Sequence, residues 1–212
     1  MTTTILTNNF NDILKGRRSI RKYDTNLKIP VEEMHEIIET ATLAPSSVNM
    51  QPWRFLVIES DEAKAILAPL ARFNQSQVET SSAMIALFGD LNNFDYAEEI
   101  YGRAVELGYM PADVKEKQLE TLSGFFANST TEQMKDTVLI DGGLVAMQFM
   151  LTARAYGYDT CPIGGFEKDK IAEAFGMDKN RYVPVMLISI GKAVDAGYQS
   201  VRLPVERVAE WK

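Results

Sequence analysis

The stretch 131–156, TEQMKDTVLIDGGLVAMQFMLTARAY, is the longest helical pattern in a chain of 212 residues. Its apolar side chains occupy nearly every face of the predicted helix, among them Val138, Leu139, Leu144, Val145, Met147, Met150 and Leu151. A helix that is apolar all round is buried at the centre of a large fold. Gly142 and Gly143 should each weaken it by about 1 kcal/mol relative to alanine, so we expect close packing there to compensate.

The segments around this helix alternate between short strand patterns and helical patterns. Aromatic and β-branched content predicts a strand at 53–59. Short apolar runs predict buried strands at 83–89 and 182–190, and residues 158–160 are strand-like. Apolar spacing predicts the other helices, at 9–15, 30–44, 61–71, 93–108 and 111–127. Few strands, most of them separated by helices, indicate the α+β class, with a central sheet covered by helices. No linker divides the chain, so we expect one domain over 1–212.

Composition narrows the class of protein. The chain is 46% hydrophobic, and its 29 acidic residues exceed 22 Lys and Arg, which gives a net charge of −7. Nonspecific nucleic-acid binding rests on basic surface, so it is disfavoured. Apolar runs such as 183–188 are far shorter than the roughly 20 residues that cross a bilayer, and the first residues lack the features of a secretory signal. With one cysteine, Cys161, no internal disulfide can form, and we expect a cytoplasmic protein without nucleic-acid or membrane partners.

Positive charge is nevertheless concentrated in one place, Arg17-Arg18-Ser19-Ile20-Arg21. The planar guanidinium fork binds phosphate or carboxylate through two parallel hydrogen bonds. The same arginines could instead cap the helix at 9–15, because cations favour the negative end of a helix dipole. The residue types alone leave both interpretations open.

Three polar segments could complete a site for a small anionic ligand: 45–52, 73–77 and 162–166. The first two offer hydroxyls and amides, which suit the edge of a heterocycle, and Gly164-Gly165 would let backbone N–H groups approach a ligand closely. Each could equally be an ordinary loop. Together with the arginines, they suggest a ligand that has both a phosphate and a planar, hydrogen-bonding ring.

Other kinds of site find little support in the sequence. The only histidine, His35, falls inside a predicted helix, and a Cys161–His35 pair could form only if the fold brought them together. One histidine and one cysteine make no zinc motif. No glycine-rich dinucleotide fingerprint follows a strand, and no Walker A motif is present.

Four segments, in this order along nearly the whole chain, resemble the FMN-dependent nitroreductase family, most closely its Bacillus-type NAD(P)H members. They are Arg17–Tyr23, Ala44–Trp53, Pro162–Gly165 and Arg202–Pro204. The resemblance implies an α+β sandwich with a mixed or antiparallel sheet, built as an intertwined homodimer with FMN at the interface. It further implies that residues 92–130 form a helical excursion, or lid, and that an arm at 198–212 reaches the partner subunit.

The activity implied by the resemblance is transfer of a hydride from NADH or NADPH, through flavin N5, to a nitroaromatic or quinone acceptor by ping-pong kinetics. The flavin carries the chemistry, so no catalytic side chain and no metal are implied. Related tasks, namely dehalogenation, enal reduction and flavin destruction, stay open. A flavin-binding protein with little turnover and an anion-binding module without flavin stay open as well.

The site residues are likewise implied by the resemblance. Arg17 and Ser19 would hold the phosphate and ribityl chain with Arg202, Arg21 would approach N1 and O2 of the ring, and Asn74 would bind its pyrimidine edge. The full set of cofactor-binding residues is Arg17, Arg18, Ser19, Arg21, Pro45, Ser46, Ser47, Asn49, Gln51, Asn74, Gln77, Pro162, Ile163, Gly164, Gly165 and Arg202. Those at 45–49 would come from the other subunit.

Three positions depart from the pattern of some relatives. Gln77 and Ser200 stand where those relatives have lysine, and Gly164 stands where others have glutamate. Gln77 keeps a donor but loses the charge, so Arg21 would act more alone beside the ring, whereas the lysine that Ser200 replaces binds the phosphate in those relatives.

Overall fold

Four antiparallel strands form the central sheet of this computed structural model, which describes residues 6–212. The strands are β1 (Trp53–Ile58), β2 (Ala83–Asp90), β3 (Asp159–Ile163) and β4 (Tyr182–Gly191), and they lie in the order β1-β2-β4-β3. Every residue of β2 is buried, which explains why its sequence is a continuous apolar run rather than an alternating one. The predicted α+β class with a helix-covered sheet is confirmed.

Eight α-helices surround the sheet in the described part of the chain. They are α1 (Phe10–Gly16), α2 (Val31–Ala41), α3 (Asp61–Leu67), α4 (Gln75–Thr80), α5 (Ala97–Glu106), α6 (Ala112–Asn128), α7 (Thr131–Ala155) and α8 (Lys168–Ala174). Two predicted helices end early: α2 stops at Ala41, and the segment after α3 becomes a 3₁₀ turn that contains Pro69. Helices α4 and α8 were not predicted, since each is too short to show a clear apolar period.

The helices form two layers, one on each face of the sheet. On one face α2 and α7 pack through Ile37, Val145 and Phe149, all 0% exposed. On the other face α3, α4 and α8 pack around Leu67, Val78 and Ile171. His35 lies exposed on α2 and Cys161 belongs to the opposite layer, so the two do not pair.

Helix α7 packs against β4 at Gly142. A Cβ atom added there would lie 2.7 Å from Val185 Cγ2, closer than real Cβ contacts allow. The expected close packing is therefore confirmed at Gly142, whereas a Cβ at Gly143 would meet open space. Substituting Gly142 would force the central helix away from the sheet.

By length and composition alone, α7 could also cross a membrane, and half of its most apolar window is buried inside the fold. The expectation from sequence considered only the strand runs and did not weigh this helix. Core helices meet the same criterion, and the complete burial of Val138, Val145 and Phe149 assigns α7 to the core of this fold.

The carboxylate of Asp90, at the end of β2, links β1 to the residue directly before β4. It is completely buried and accepts hydrogen bonds from Arg54 Nη2 at 3.1 Å and from Arg181 Nε at 2.8 Å. This ion pair raises the pKa of Arg181 further. Arg54 also stacks over Tyr96, with its Cζ 4.5 Å from the ring centroid. Asp90 thus fixes the point where the chain leaves the sheet and enters the next helical segment.

That segment, residues 93–128, contains a 3₁₀ turn followed by α5 and α6. It has a small hydrophobic core of its own, in which Met50, Ala97 and Tyr101 are buried. Phe94 and Phe126 stack at 4.7 Å between ring centroids. Since Met50 lies outside the segment, this satellite core is seated on the loop before β1.

The end of the chain makes little contact with its own body. Every residue of 198–212 is exposed, including Val201 at 94%, Leu203 at 71% and Trp211 at 80%. Large apolar side chains in that state are unusual on a surface that has no partner.

Candidate functional site

A cleft of about 760 Å³ lies where the end of β3 meets the start of α4 and the segment after α1. We call it the β3 cleft. It is lined by Ser19, Arg21, Arg72, Phe73, Asn74, Gln75, Ser76, Gln77, Cys161, Pro162, Ile163, Gly164 and Gly165. Eight of the residues predicted to bind the cofactor are among them, although they come from three separate parts of the sequence.

The segment after α1 reaches the cleft because it runs as an extended chain beside β3. Ser19 forms a parallel bridge with Thr160, and Ile20 N donates to Thr160 O at 3.1 Å. Successive side chains of an extended chain point to opposite sides. Ser19 and Arg21 therefore line the β3 cleft, whereas Arg18 lines a smaller cavity of about 260 Å³.

The structure separates the roles of the first two arginines. Arg18 Nη1 donates to Lys15 O at 2.6 Å and to Arg17 O at 2.9 Å, so Arg18 caps the end of α1 and does not enter the β3 cleft. Arg17 instead has a buried Nη1 atom with no hydrogen-bond partner in the part of the chain that the structure describes. Leaving such a donor unpaired costs about 1–3 kcal/mol, and more when the group is charged. An anion is the natural partner for it.

Two amide side chains hold one wall of the cleft in place. Asn74 Nδ2 donates to Gly165 O at 3.1 Å, and Gln77 Nε2 donates to Asn74 Oδ1 at 3.3 Å. Asn74 and Gln77 each retain an amide N–H beyond these bonds, so both can still bind a ligand edge. These hydrogen bonds therefore tie the start of α4 to the loop after β3.

Gly164 and Gly165 face open space in the cleft. A Cβ added at either position would meet no atom within 4 Å, and neither residue has a positive φ. Packing and backbone conformation within this chain therefore do not require glycine here. A ligand that approaches the backbone closely would require it.

Cys161 also lines the β3 cleft, a role that its sequence context did not suggest. Burial raises the pKa of its thiol, and the nearby Gln77, Arg21, Ser19 and Arg17 side chains act in the opposite direction. The signal that could have found it is its position directly before Pro162–Gly165, a segment that was predicted to border the ligand and that lines the same cleft. Arg72 was missed as well, and Phe73, Gln75 and Ser76 were covered only by the predicted polar segment 73–77.

The predicted residues at 45–51 lie elsewhere, in a turn that does not line the β3 cleft of its own chain. Within this turn Ser47–Asn49 form a 3₁₀ helix, and Gln51 N donates to Ser46 Oγ at 3.0 Å. The Ser46 oxygen is thus used inside the turn, while Ser47, Asn49 and Pro45 are exposed.

Arg202 is also outside the cleft. It lies on the exposed arm, where its Nη1 donates to Ser200 Oγ at 2.8 Å and to Val201 O at 3.0 Å. The arm leaves the body beside the first arginines, since Gln199 Oε1 accepts from Arg18 Nη2 at 3.4 Å. Three residues span roughly 10 Å when extended, so Arg202 is within reach of that region.

Known proteins resemble this chain over its full length. A family model described as the Nitroreductase family matches residues 14–192. The Bacillus subtilis (strain 168) protein named "Putative NAD(P)H nitroreductase YdgI" is 65% identical over 208 residues, which are 98% of this chain and 100% of that protein. The CLA biosynthesis enone reductase of Lactiplantibacillus plantarum is 34% identical over 199 residues, which are 93% of this chain and 92% of that protein.

The fold comparison agrees with the sequence comparison. The crystal structure of a "putative nitroreductase in complex with FMN" from Exiguobacterium sibiricum 255-15 is 65% identical, covers 100% of both chains and has a TM-score of 0.96. The expected family resemblance is thereby confirmed. A family match over most of the chain, joined to a full-length structural match, shows that this protein belongs to the nitroreductase family.

Proposed function

We propose that this protein binds FMN in the β3 cleft and transfers reducing equivalents from NADH or NADPH to a small oxidised acceptor. The observation that carries the proposal is the buried, unpartnered Nη1 atom of the half-buried Arg17 side chain, which lies close enough to act on Cys161 in the polar cleft; the glycine wall of that cleft has room for a ligand. The solved relative from Exiguobacterium sibiricum, described as an FMN complex, supports the same assignment.

The donor set of the cleft fits FMN part by part. Arg17 and Ser19, with Arg202 from the arm, would hold the phosphate, which carries close to two negative charges at neutral pH. Arg21 would lie at the N1 and O2 edge of the ring, with Asn74 and Gln77 on the pyrimidine edge. The Gly164 or Gly165 amide would approach N5. Bound FMN supplies the group that accepts a hydride and returns the electrons to an acceptor.

The side chains of this chain would then bind and tune rather than transfer protons. A fixed positive charge from Arg21 near the ring favours its anionic reduced form. Because Gln77 is uncharged, Arg21 would supply this effect with little help. A cytoplasmic location belongs to the same proposal and rests on composition alone.

We further infer that the protein is an intertwined homodimer. The arm at 198–212 is exposed throughout, and α7 exposes an apolar stripe of Ile140, Leu144 and Met147 at 66%, 44% and 39%. A second copy would cover both surfaces. It would also bring Pro45, Ser46, Ser47, Asn49 and Gln51, which lie outside their own cleft, to the cleft of its partner.

A cavity of about 770 Å³ is the candidate pocket for the acceptor. Val48 and Tyr101 form one side, and α6 forms the other through Val114 and Leu122. Its volume lies in the range of ordinary ligand pockets, about 300–1,000 Å³. The remaining lining residues, Asp113, Lys117, Gln118 and Thr121, are polar. The apolar side chains and the tyrosine suit the flat ring of a nitroaromatic or quinone, and the polar ones suit its nitro or carbonyl groups. This role would make residues 92–130 a lid over the flavin.

Reduction of an activated carbon–carbon double bond is a second candidate function. The observation that favours it is the 34% identity to a relative named an enone reductase. An enone has the same need for an apolar pocket beside a reduced flavin. Comparing an enone with a quinone as the second substrate distinguishes the two functions.

The deciding experiment is a visible spectrum of the purified protein, followed by anaerobic titration with NADH and with NADPH. We expect flavin absorbance that bleaches with the nicotinamide and returns when a quinone is added. Because both substrates would share one pocket, double-reciprocal plots should be parallel. Sedimentation should give twice the 23.8 kDa mass of the chain. Colourless protein that ignores added FMN would contradict the proposal, and intersecting plots would contradict the shared pocket.

The single cysteine offers an independent measure of occupancy of the cleft. Since burial raises the pKa of Cys161 and the thiolate is the reactive form, alkylation by iodoacetamide at pH 8 should be slower than for free cysteine. FMN should slow it further, because Cys161 lines the cleft. Mass spectrometry measures the rate, and the protein unfolded in urea is the control. Equal rates with and without FMN would argue against binding in the β3 cleft.

A further inference from the structure

The turn before β1 has an unusual backbone. Val48, Asn49 and Gln51 have φ values of 43°, 57° and 47°, which is the left-handed region. Asparagine tolerates this region, but a β-branched residue such as Val48 is a genuine outlier there. Conformations of this kind persist only where the surrounding structure over-determines them, and they cluster at functional sites.

The first group that holds the turn is the carboxylate of Asp141, in the middle of α7. Asp141 is 4% exposed, and both of its oxygens lie 3.1 Å from Ser47 N. Burial raises the pKa of this carboxyl, and the Ser47 N–H acts against that rise. Among the ion pairs of residues 6–212, none includes Asp141. A buried carboxyl without a cation is costly, so its retention points to a role at the turn.

The second group is the phenol of Tyr101, on α5. Tyr101 is 7% exposed, and its hydroxyl donates to Val48 O at 3.1 Å. Burial raises the pKa of the phenol, so it stays protonated and remains a donor. Met50, 2% exposed, anchors the same turn because its side chain is buried in the core of residues 93–128.

We propose that Asp141 and Tyr101 are positioning residues that jointly hold the turn at 46–51 in its left-handed conformation, with Ser47 and Asn49 presented to the cofactor of the partner subunit. Asp141 accepts a hydrogen bond from the N–H of Ser47, and Tyr101 donates one to the C=O of Val48, the next residue. The inference rests on the proposed function, since the turn matters to the reaction only if it borders the flavin.

The consequence is a physical link between three parts of the fold. The central helix holds the turn from one side and the helical segment holds it from the other. Tyr101 also lines the proposed acceptor pocket. A change in that pocket wall would therefore reach the residues that border the flavin through one hydrogen bond.

The test uses the holoenzyme with Tyr101→Phe, Asp141→Ala and Asp141→Asn. Tyr109→Phe, at an 80% exposed tyrosine near the end of α5, and Asp136→Ala, at an exposed position of α7, are the matched controls. Three quantities are measured: amide hydrogen exchange of the peptide that covers 46–52, the Kd for FMN, and kcat/KM with a quinone.

We expect Tyr101→Phe and Asp141→Ala to speed exchange in that peptide and to raise the Kd for FMN by about 2- to 12-fold each, the effect of one lost hydrogen bond. Asp141→Asn keeps an acceptor for Ser47 N, so it should restore most of the loss. Asp136→Ala should change none of the three quantities, and Tyr109→Phe should leave the exchange and the Kd for FMN unchanged. Tyr101→Phe removes a single oxygen atom, which keeps the test decisive if Asp141→Ala does not fold.

Two results would overturn the inference, and they are distinguishable. If the variants speed exchange at 46–52 but bind FMN and turn over as the wild type does, the turn does not serve the reaction, although the proposed function stands. If the wild type itself binds no FMN, the proposed function fails and this inference fails with it.

Discussion

Arg17→Ala protein is expected to lose its FMN on dilution. A charge-assisted hydrogen bond to phosphate contributes about 1.5–3 kcal/mol, which corresponds to a roughly 10- to 150-fold rise in Kd. Arg18→Ala is the matched control, because Arg18 is the neighbouring arginine and caps α1 instead. Fluorescence titration of the apoprotein with FMN measures both. Equal losses in the two variants, or full retention by Arg17→Ala, would contradict the assignment of the phosphate site.

The same variant should behave in the opposite way without cofactor. In the apoprotein Arg17 Nη1 is buried without a partner, so its removal relieves a desolvation cost instead of breaking a bond. The thermal midpoint of the Arg17→Ala apoprotein should therefore equal or exceed that of the wild type. A residue that destabilises the apoprotein but stabilises the FMN complex contributes to ligand binding rather than to folding.

The second large effect is expected on stability rather than binding. Asp90→Ala removes the completely buried carboxylate between Arg54 and Arg181. Breaking a buried ion pair costs about 3–5 kcal/mol. Because the two guanidiniums are 28% and 24% exposed and can still reach water, we expect about 3 kcal/mol, or roughly 6–12 °C in Tm for a chain of this length.

The control for this prediction is Glu106→Ala, which breaks the exposed pair between Arg103 and Glu106. An exposed pair contributes about 0–1 kcal/mol, so its loss should hardly move the Tm. Urea unfolding of the two variants at one protein concentration gives the comparison. Similar midpoints for both would show that the Asp90 network does not stabilise the fold.

The sequence was most informative where one physical signal dominated. The all-round apolar pattern of α7 and the short apolar runs of β2 and β4 predicted a buried helix on a sheet, and the structure has both. Helix α4 was missed because Val78 is its only large apolar residue, so contacts distant in sequence decide its conformation. Short polar segments carry too little local preference to be predicted alone.

The candidate site was likewise predictable only where local sequence, rather than contacts distant in sequence, decides the structure. Residue types at 17–21 indicated either an anion site or a helix cap. In the structure Arg18 caps α1, whereas Ser19 and Arg21 line the β3 cleft. The roles separate because successive side chains of an extended chain point to opposite sides. That outcome depends on pairing with Thr160, about 140 residues later in the sequence, which no local pattern encodes. Tyr101 and Asp141 could not be found from sequence for a similar reason, since their partners lie 53 and 94 positions away.

The satellite core of residues 93–128 has a consequence for how such a protein can diversify. None of the residues of α6 is buried, so the sheet and its two covering layers gain little from the identity of its side chains. Mutations along this helix can alter the shape and polarity of the neighbouring pocket and change the stability of the sheet and its two helical layers very little. In the proposed acceptor pocket, substitutions on α6 can therefore change which oxidants bind at little cost in folding stability, so relatives with different substrates can share one fold.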